Sequence, residues 1–166
     1  MTEIKRWATF SACRQYRYSL RRAWDDSKPK LVLVMMNPST ADEHDDDPTT
    51  TFCIRHVARR YEKYGRYEAV NLYPIVGSDP EIIKECPIHV HQRNERRIMH
   101  AASSADSIIV AWGKAGQHDS RAFRVAHMLR HHDLYCFGKN KDGSPRFPRA
   151  LKKDVPVVLW REGVAA

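Results

Sequence analysis

No Cys-x-x-Cys pair occurs in this chain, glycine is scarce at seven of 166 residues, and no uncharged run approaches the ~20 residues that a bilayer requires. The first absence argues against an iron–sulfur cluster or structural zinc, which draw two ligands from one short loop. Cys13, Cys53, Cys86 and Cys136 are widely spaced instead. That is the usage of a reducing cytosol, where each thiol is a small buried apolar group. The third absence removes a membrane-spanning reading. The N-terminal Met-Thr-Glu-Ile-Lys-Arg has no apolar export core, so a cytoplasmic location is expected. Acidic residues are in deficit, 20 against 28 Lys and Arg, for a net charge of +8. A polyanion partner is favoured, with solubility alone as the plain alternative.

Several catalytic constellations are missing too. Gly113-Lys-Ala-Gly116 is too short for a phosphate loop and lacks Gly-Lys-Ser/Thr. His89 and His91, and His131 and His132, lack the i, i+4 spacing of a helical zinc site. Ser39 and Thr40 have no histidine beside them to complete a nucleophile triad. Neither a cofactor nor a metal is expected, although the acidic run at 42–47 (Asp42, Glu43, Asp45, Asp46, Asp47) keeps a magnesium reading open beside that of a solvated loop.

What is present alternates. Residues 30–36 (Lys-Leu-Val-Leu-Val-Met-Met) form an apolar run of the length of a strand buried on both faces. Asp47-Pro48 reads as the N-cap and first residue of a helix. That helix carries Ile54, Val57, Ala58 and Tyr61 on its apolar side, Arg55, Arg59, Arg60 and Lys63 on its cationic side, and ends at Gly65. Further strands are expected at 68–73, 107–112 and 134–137. Helices are expected at about 91–103 and 119–131, the latter with Phe123, Ala126, His127 and Arg130 on one side. Residues 14–22 alternate Arg14, Arg17, Arg21 and Arg22 with Tyr16, Tyr18 and Leu20, which suits an edge strand or a basic surface. The whole predicts one domain over 1–166: an α/β three-layer sandwich around a mostly parallel sheet of four to five strands.

In such sheets ligands sit at the carboxyl ends of the strands. Those ends read Asn37-Pro-Ser-Thr, Asn71-Leu-Tyr-Pro, Trp112-Gly-Lys-Ala and Gly138-Lys-Asn-Lys. Around the last, Lys139, Lys141, Arg146, Arg149, Lys152 and Lys153 make a basic segment able to neutralise phosphates, and Arg14, Arg17, Arg21 and Arg22 make a second.

The segments Leu-Val-Leu-Val-Met-Met-Asn-Pro-Ser-Thr-Ala-Asp at 31–42, Asp47-Pro-Thr, Asn71-Leu, Ala111-Trp-Gly and Gly143-Ser-Pro-Arg-Phe-Pro resemble the bacterial and phage family DUF1643, over nearly the whole chain. More distantly, four strand ends resemble, in the same order, motifs of the uracil-DNA glycosylase superfamily. They are Met36-Asn-Pro-Ser, Val70-Asn-Leu, Ala111-Trp-Gly and Pro145-Arg-Phe-Pro. The resemblance implies a uracil-DNA glycosylase-like fold and hydrolysis of the N-glycosidic bond of a flipped base in DNA, duplex or single-stranded, phage-type modified bases included. Phage defence is the implied setting.

It implies that Asn37 orients the attacking water and that Asn71 reads the base edge. Met36, Pro38, Ser39, Tyr73, Trp112 and Gly113 would line the substrate, and Lys139, Lys141, Arg146, Phe147 and Arg149 would hold DNA. Asp42 and Asp47 are the further catalytic candidates. Where the superfamily's stronger catalysts carry a histidine, this chain carries Phe147, either an apolar wedge between bases or a packed side chain. A non-catalytic base-binding module and a hydrolase of free nucleosides or nucleotides stay open. A monomer is favoured.

Overall fold

In the computed structural model, which describes residues 3–58, 63–77, 85–116, 119–149 and 151–165, strands β3 (Lys30–Met35), β4 (Arg66–Asn71), β5 (Ser107–Val110) and β6 (Leu134–Cys136) form the parallel centre of one mixed sheet. β1 (Lys5–Phe10) and β2 (Arg17–Ala23) add an antiparallel pair on the β4 side, and β7 (Val158–Arg161) pairs antiparallel with β6. The order is β1-β2-β4-β3-β5-β6-β7. The apolar run beginning at Lys30 is the central strand, as its composition requires.

The sheet has seven strands rather than four or five, and three of its six pairings are antiparallel. The added strands escape hydropathy because β1 and β7 are borders with one unpaired side. Their residues mix charge with half-exposed apolar groups and give no continuous run. The segment at 14–22 is also not an edge. β2 lies between β1 and β4, and Arg17 and Arg22 on it are buried.

Helices cover both faces. Helix α1 (Pro48–Cys53) and a π-helical turn (Ile54–Ala58) pack with Leu31, Leu33, Met35, Tyr67 and Ala69. Helices α2 (Ile88–Ser103) and α3 (Ser120–Met128) pack with Val32, Val34, Val70 and Val110 on the other. The expected helix from Pro48 begins where the cap places it and passes into a π turn. The positions foreseen for Arg59, Arg60 and Tyr61 lie outside the described residues. The buried side of α3 is Ala122, Val125 and Ala126, while Phe123 faces solvent, so the expected pairing of Phe123 with Ala126 is corrected. Among the described residues no helix is long and apolar enough to cross a membrane. All four cysteines are free, Cys53 and Cys136 being buried.

Candidate functional site

A cavity of about 510 Å³ opens beyond the carboxyl end of β3, on the α1 face of the sheet. Asn37, Ser39, Asp47, Phe147 and Arg149 line it, together with Arg17 and Met35. Five positions read from the sequence as site residues, dispersed between 37 and 149, are therefore brought to one mouth.

Asn37 follows the last residues of β3. Its Nδ2 donates to the carbonyls of Pro38 (3.2 Å) and Gly77. The donor end is thus used on backbone, and Oδ1 makes no hydrogen bond among the described residues. The orientation of the amide follows from that network, and it leaves an acceptor at the mouth. Pro38 itself is buried and offers its carbonyl to the amide of Gly77 (3.3 Å).

Asp47 caps α1. One carboxylate oxygen accepts from the Thr50 amide (2.6 Å), and the other accepts the Ser39 hydroxyl across the mouth. Burial raises its pKa, yet the Ser39 hydroxyl, the Thr50 contacts and the Arg17 charge together hold it below the usual carboxylate range. Asp47 is an anion at neutral pH.

Arg17 reaches the cavity through a bulge. The β1–β2 register passes from Thr9↔Ser19 to Phe10↔Arg17, leaving Tyr18 as the extra residue. Tyr18 lies under the guanidinium of Arg93 from α2 (4.9 Å), whereas Arg17 turns to the α1 face and donates from Nη1 to the carbonyl of Ala41. Burial pulls its pKa down, and the Asp47 carboxylate acts the other way.

Asn71 pairs with Met35 in the β3–β4 register, so it lies two positions from Asn37 on the neighbouring strand, within roughly 10 Å. Tyr67 and Ala69 face the α1 side, and strand alternation puts Asn71 there too. It is 1% exposed, and neither amide atom has a hydrogen-bond partner among the described residues. A buried amide left unpaired on both atoms is costly. Asn71 does not itself line the cavity; Met35, its partner on β3, does.

Other expected contacts lie elsewhere. Met36, Tyr73 and Trp112 face the opposite core with α2 and α3. Tyr73 donates to Asp119 (2.9 Å), and Trp112 meets Trp160 edge-on at 5.4 Å. Side chains alternate along a strand, so Met35 rather than Met36 reaches the mouth. Gly113 acts through its backbone: its φ of 73° and its amide bond to Pro145 (3.0 Å) bring Phe147 so close that a Cβ would stand 3.2 Å from the Phe147 Cβ. Phe147 is half-buried against the core and forms a wall of the cavity rather than a projecting wedge.

The acidic loop is satisfied internally. Asp42 accepts the amides of His44 and Asp45 (2.8 Å each), and it does not line the cavity. Arg22 grips Asp46 (2.8 Å) and the Asp42 carbonyl (2.6 Å), while Arg14 holds Glu43 through two 3.0 Å bonds. Among the described residues no cluster of three metal-ligating side chains occurs. The basic surface expected at 14–22 is corrected by the same contacts, since its arginines neutralise this loop or lie buried; Arg21 packs on Trp7.

The second basic segment is different. Residues 138–146 form a turn pinned by Asn140–Ser144 (2.8 Å) and Arg146–Gly138 (3.0 Å) backbone bonds. Lys139, Lys141, Arg146, Arg149, Lys152 and Lys153 are all exposed, and none of them forms a salt bridge among the described residues. Of these six, Arg149 lines the cavity.

Arg17, Met35, Thr50 and Phe52 are among the cavity residues that sequence reasoning missed. Met35 was recoverable from alternation along β3; the Tyr18 bulge that aims Arg17 has no signature in the sequence. A family model described as a protein of unknown function (DUF1643) matches residues 17–149. No curated protein matches the chain, and no solved structure does.

Proposed function

The chain belongs to the DUF1643 family, and from the chemistry of the mouth we propose that it hydrolyses the N-glycosidic bond of a nucleotide base flipped out of DNA. The observation that carries this reading is the free Oδ1 of Asn37 at the rim of a cavity of about 510 Å³, with its amide donor fixed on backbone. That volume lies within the range of small-molecule sites. An acceptor held by packing is suited to orienting one water. The water oxygen attacks the sugar C1′, the C1′–N bond breaks with its electron pair leaving on the base, and the water proton ends on the departing base. Asp47, anionic and hydrogen-bonded to Ser39, gives the mouth a negative charge that favours the positive character developing on the sugar. Phe147 supplies an aromatic wall for the base.

The order of the strand-end motifs, which resembles that of the uracil-DNA glycosylase superfamily, supports this reading. The exposed lysines and arginines of 139–153, with Arg149 at the mouth, favour a polymer over a free nucleoside, because phosphates along the backbone match that spread of charge. Phe147, where the stronger catalysts have histidine, favours a second reading: a module that binds the flipped base without cleaving.

Incubation with oligonucleotides carrying uracil, mismatches or phage-type modified bases, followed by hot alkali, tests the proposal. Strand scission at one base supports hydrolysis. Tight, base-selective binding without scission supports the module.

A further inference from the structure

Two arginines of β2 differ in how far their guanidinium groups are satisfied. Arg22 is fully buried and directs its guanidinium to Asp46, to the carbonyls of Trp7 and Arg21, and to two carbonyls of the acidic loop. Arg17 is 2% exposed and makes one hydrogen bond, from Nη1 to Ala41. Its Nε is buried without a partner, its Nη2 makes no hydrogen bond, and it forms no salt bridge among the described residues. Nε and Nη2 are the two nitrogens whose N–H bonds run parallel along one edge of the guanidinium, the edge that Arg22 uses on Asp46. A buried cation with that edge unused is unfavourable unless a ligand completes it. Arg17 lines the cavity, and the bulge at Tyr18 is what turns it there.

We infer that Arg17 is the specificity residue of the cavity: one ligand acceptor meets Nη2, and a small shift of the side chain brings Nε, sealed in this structure, onto the adjacent acceptor. Three parts of a nucleotide offer such a pair: two oxygens of a phosphate, the O6/N7 edge of a guanine-type base, or the N3/O2 edge of a cytosine-type base freed by flipping. An adenine-type edge, with a donor beside its acceptor, is refused. This deepens the reading above and rests on it for the ligand being part of a nucleotide. A guanidinium reaching the base also offers a site for the negative charge that gathers on a departing base.

The test measures binding to the full chain by calorimetry and by thermal shift, with inorganic phosphate, deoxyguanosine, deoxycytidine and deoxyadenosine as separate probes. Wild type is expected to bind phosphate, deoxyguanosine or deoxycytidine, the responding arm naming the source, and to ignore deoxyadenosine. Arg17→Lys, which keeps the charge but loses the fork, should bind at least about tenfold more weakly. Arg17→Met without ligand should melt no lower than wild type, since an apolar side chain replaces an unpaired buried charge. The inference is overturned if none of phosphate, deoxyguanosine and deoxycytidine binds wild type, if Arg17→Lys binds as wild type does, or if Arg17→Met melts well below wild type. Arg17-dependent binding without base release from any oligonucleotide would keep this inference and remove the glycosidase reading. Base release at an unchanged rate in Arg17→Lys would do the reverse.

Discussion

The side-chain amide of Asn37 donates to the carbonyl of Gly77, forty residues along the chain. This bond ties the loop after β4 to the end of β3 and determines which end of the amide meets the cavity. Asn37→Asp sets an acceptor against an acceptor there, whereas Asn37→Ala only removes the bond. Urea unfolding should show Asn37→Asp destabilised by about 1–3 kcal/mol and Asn37→Ala by less. The reverse ranking would mean that the amide is turned the other way.

The exposed cations of the 138–146 turn are expected to meet phosphates. For duplex binding, log K should fall linearly with log[salt]. The triple variant Lys139→Ala, Lys141→Ala, Arg146→Ala should reduce that slope by about 0.9 for every phosphate that is no longer neutralised. An unchanged slope would put the phosphate-binding cations on another surface. Arg149 is left out of this variant because it lines the cavity.

Arg22 holds the acidic loop, and through it Asp47, in place. Arg22→Met leaves Asp46 without its 2.8 Å partner and should cost about 3 kcal/mol in urea unfolding. Measured at a temperature where the variant is folded, its salt slope for DNA should equal that of wild type, since Arg22 is buried and meets no phosphate.

Asp47 gives a pH signature. Its carboxyl is more acidic folded than unfolded, so its contribution to stability is complete above the unfolded value of 3.8 and is lost as pH falls through the lower folded value. Between pH 5 and 8 its charge is constant, and a pH–rate profile should show no ionisation assignable to it in that window. Asp47→Ala should lose about 0.5–2 kcal/mol of stability through the missing helix cap. The difference between variant and wild type should shrink as pH falls below 3.8. A difference that persists unchanged to pH 2 would show that Asp47 does not act as an anion.

Much of the architecture is legible in the sequence because the central strands are buried on both faces and so read as uninterrupted apolar runs; 30–36 and 107–112 are the plainest. The border strands were not legible, since half of their side chains meet water. Asn37 and Asp47 are legible because a strand end and a helix cap carry turn vocabulary, whereas Ser39 and Phe147 come with the resemblance and Arg149 with the basic segment. Strand alternation sends Trp112 with Val110 to the α2–α3 core, and Tyr73 lies past the end of β4, where the alternation no longer holds. Residues 14–22 read equally as an edge strand or a basic surface, because a basic run gives no sign of the acidic loop that folds over it. Arg17 depended on a single bulged residue, a feature of register rather than of composition.

The central claim is that Asn37 holds the water that cleaves the glycosidic bond. Single-turnover base release from the oligonucleotide that wild type cleaves, compared among wild type, Asn37→Ala and Asp42→Ala, tests it most directly. Asn37→Ala should slow release roughly a hundredfold or more while duplex affinity stays near wild type, because water positioning acts in the transition state. Asp42→Ala should release base at close to the wild-type rate, since that carboxylate caps its own loop outside the cavity. Full activity in Asn37→Ala together with loss of activity in a folded Asp42→Ala would contradict the account and move the catalytic group to the acidic loop.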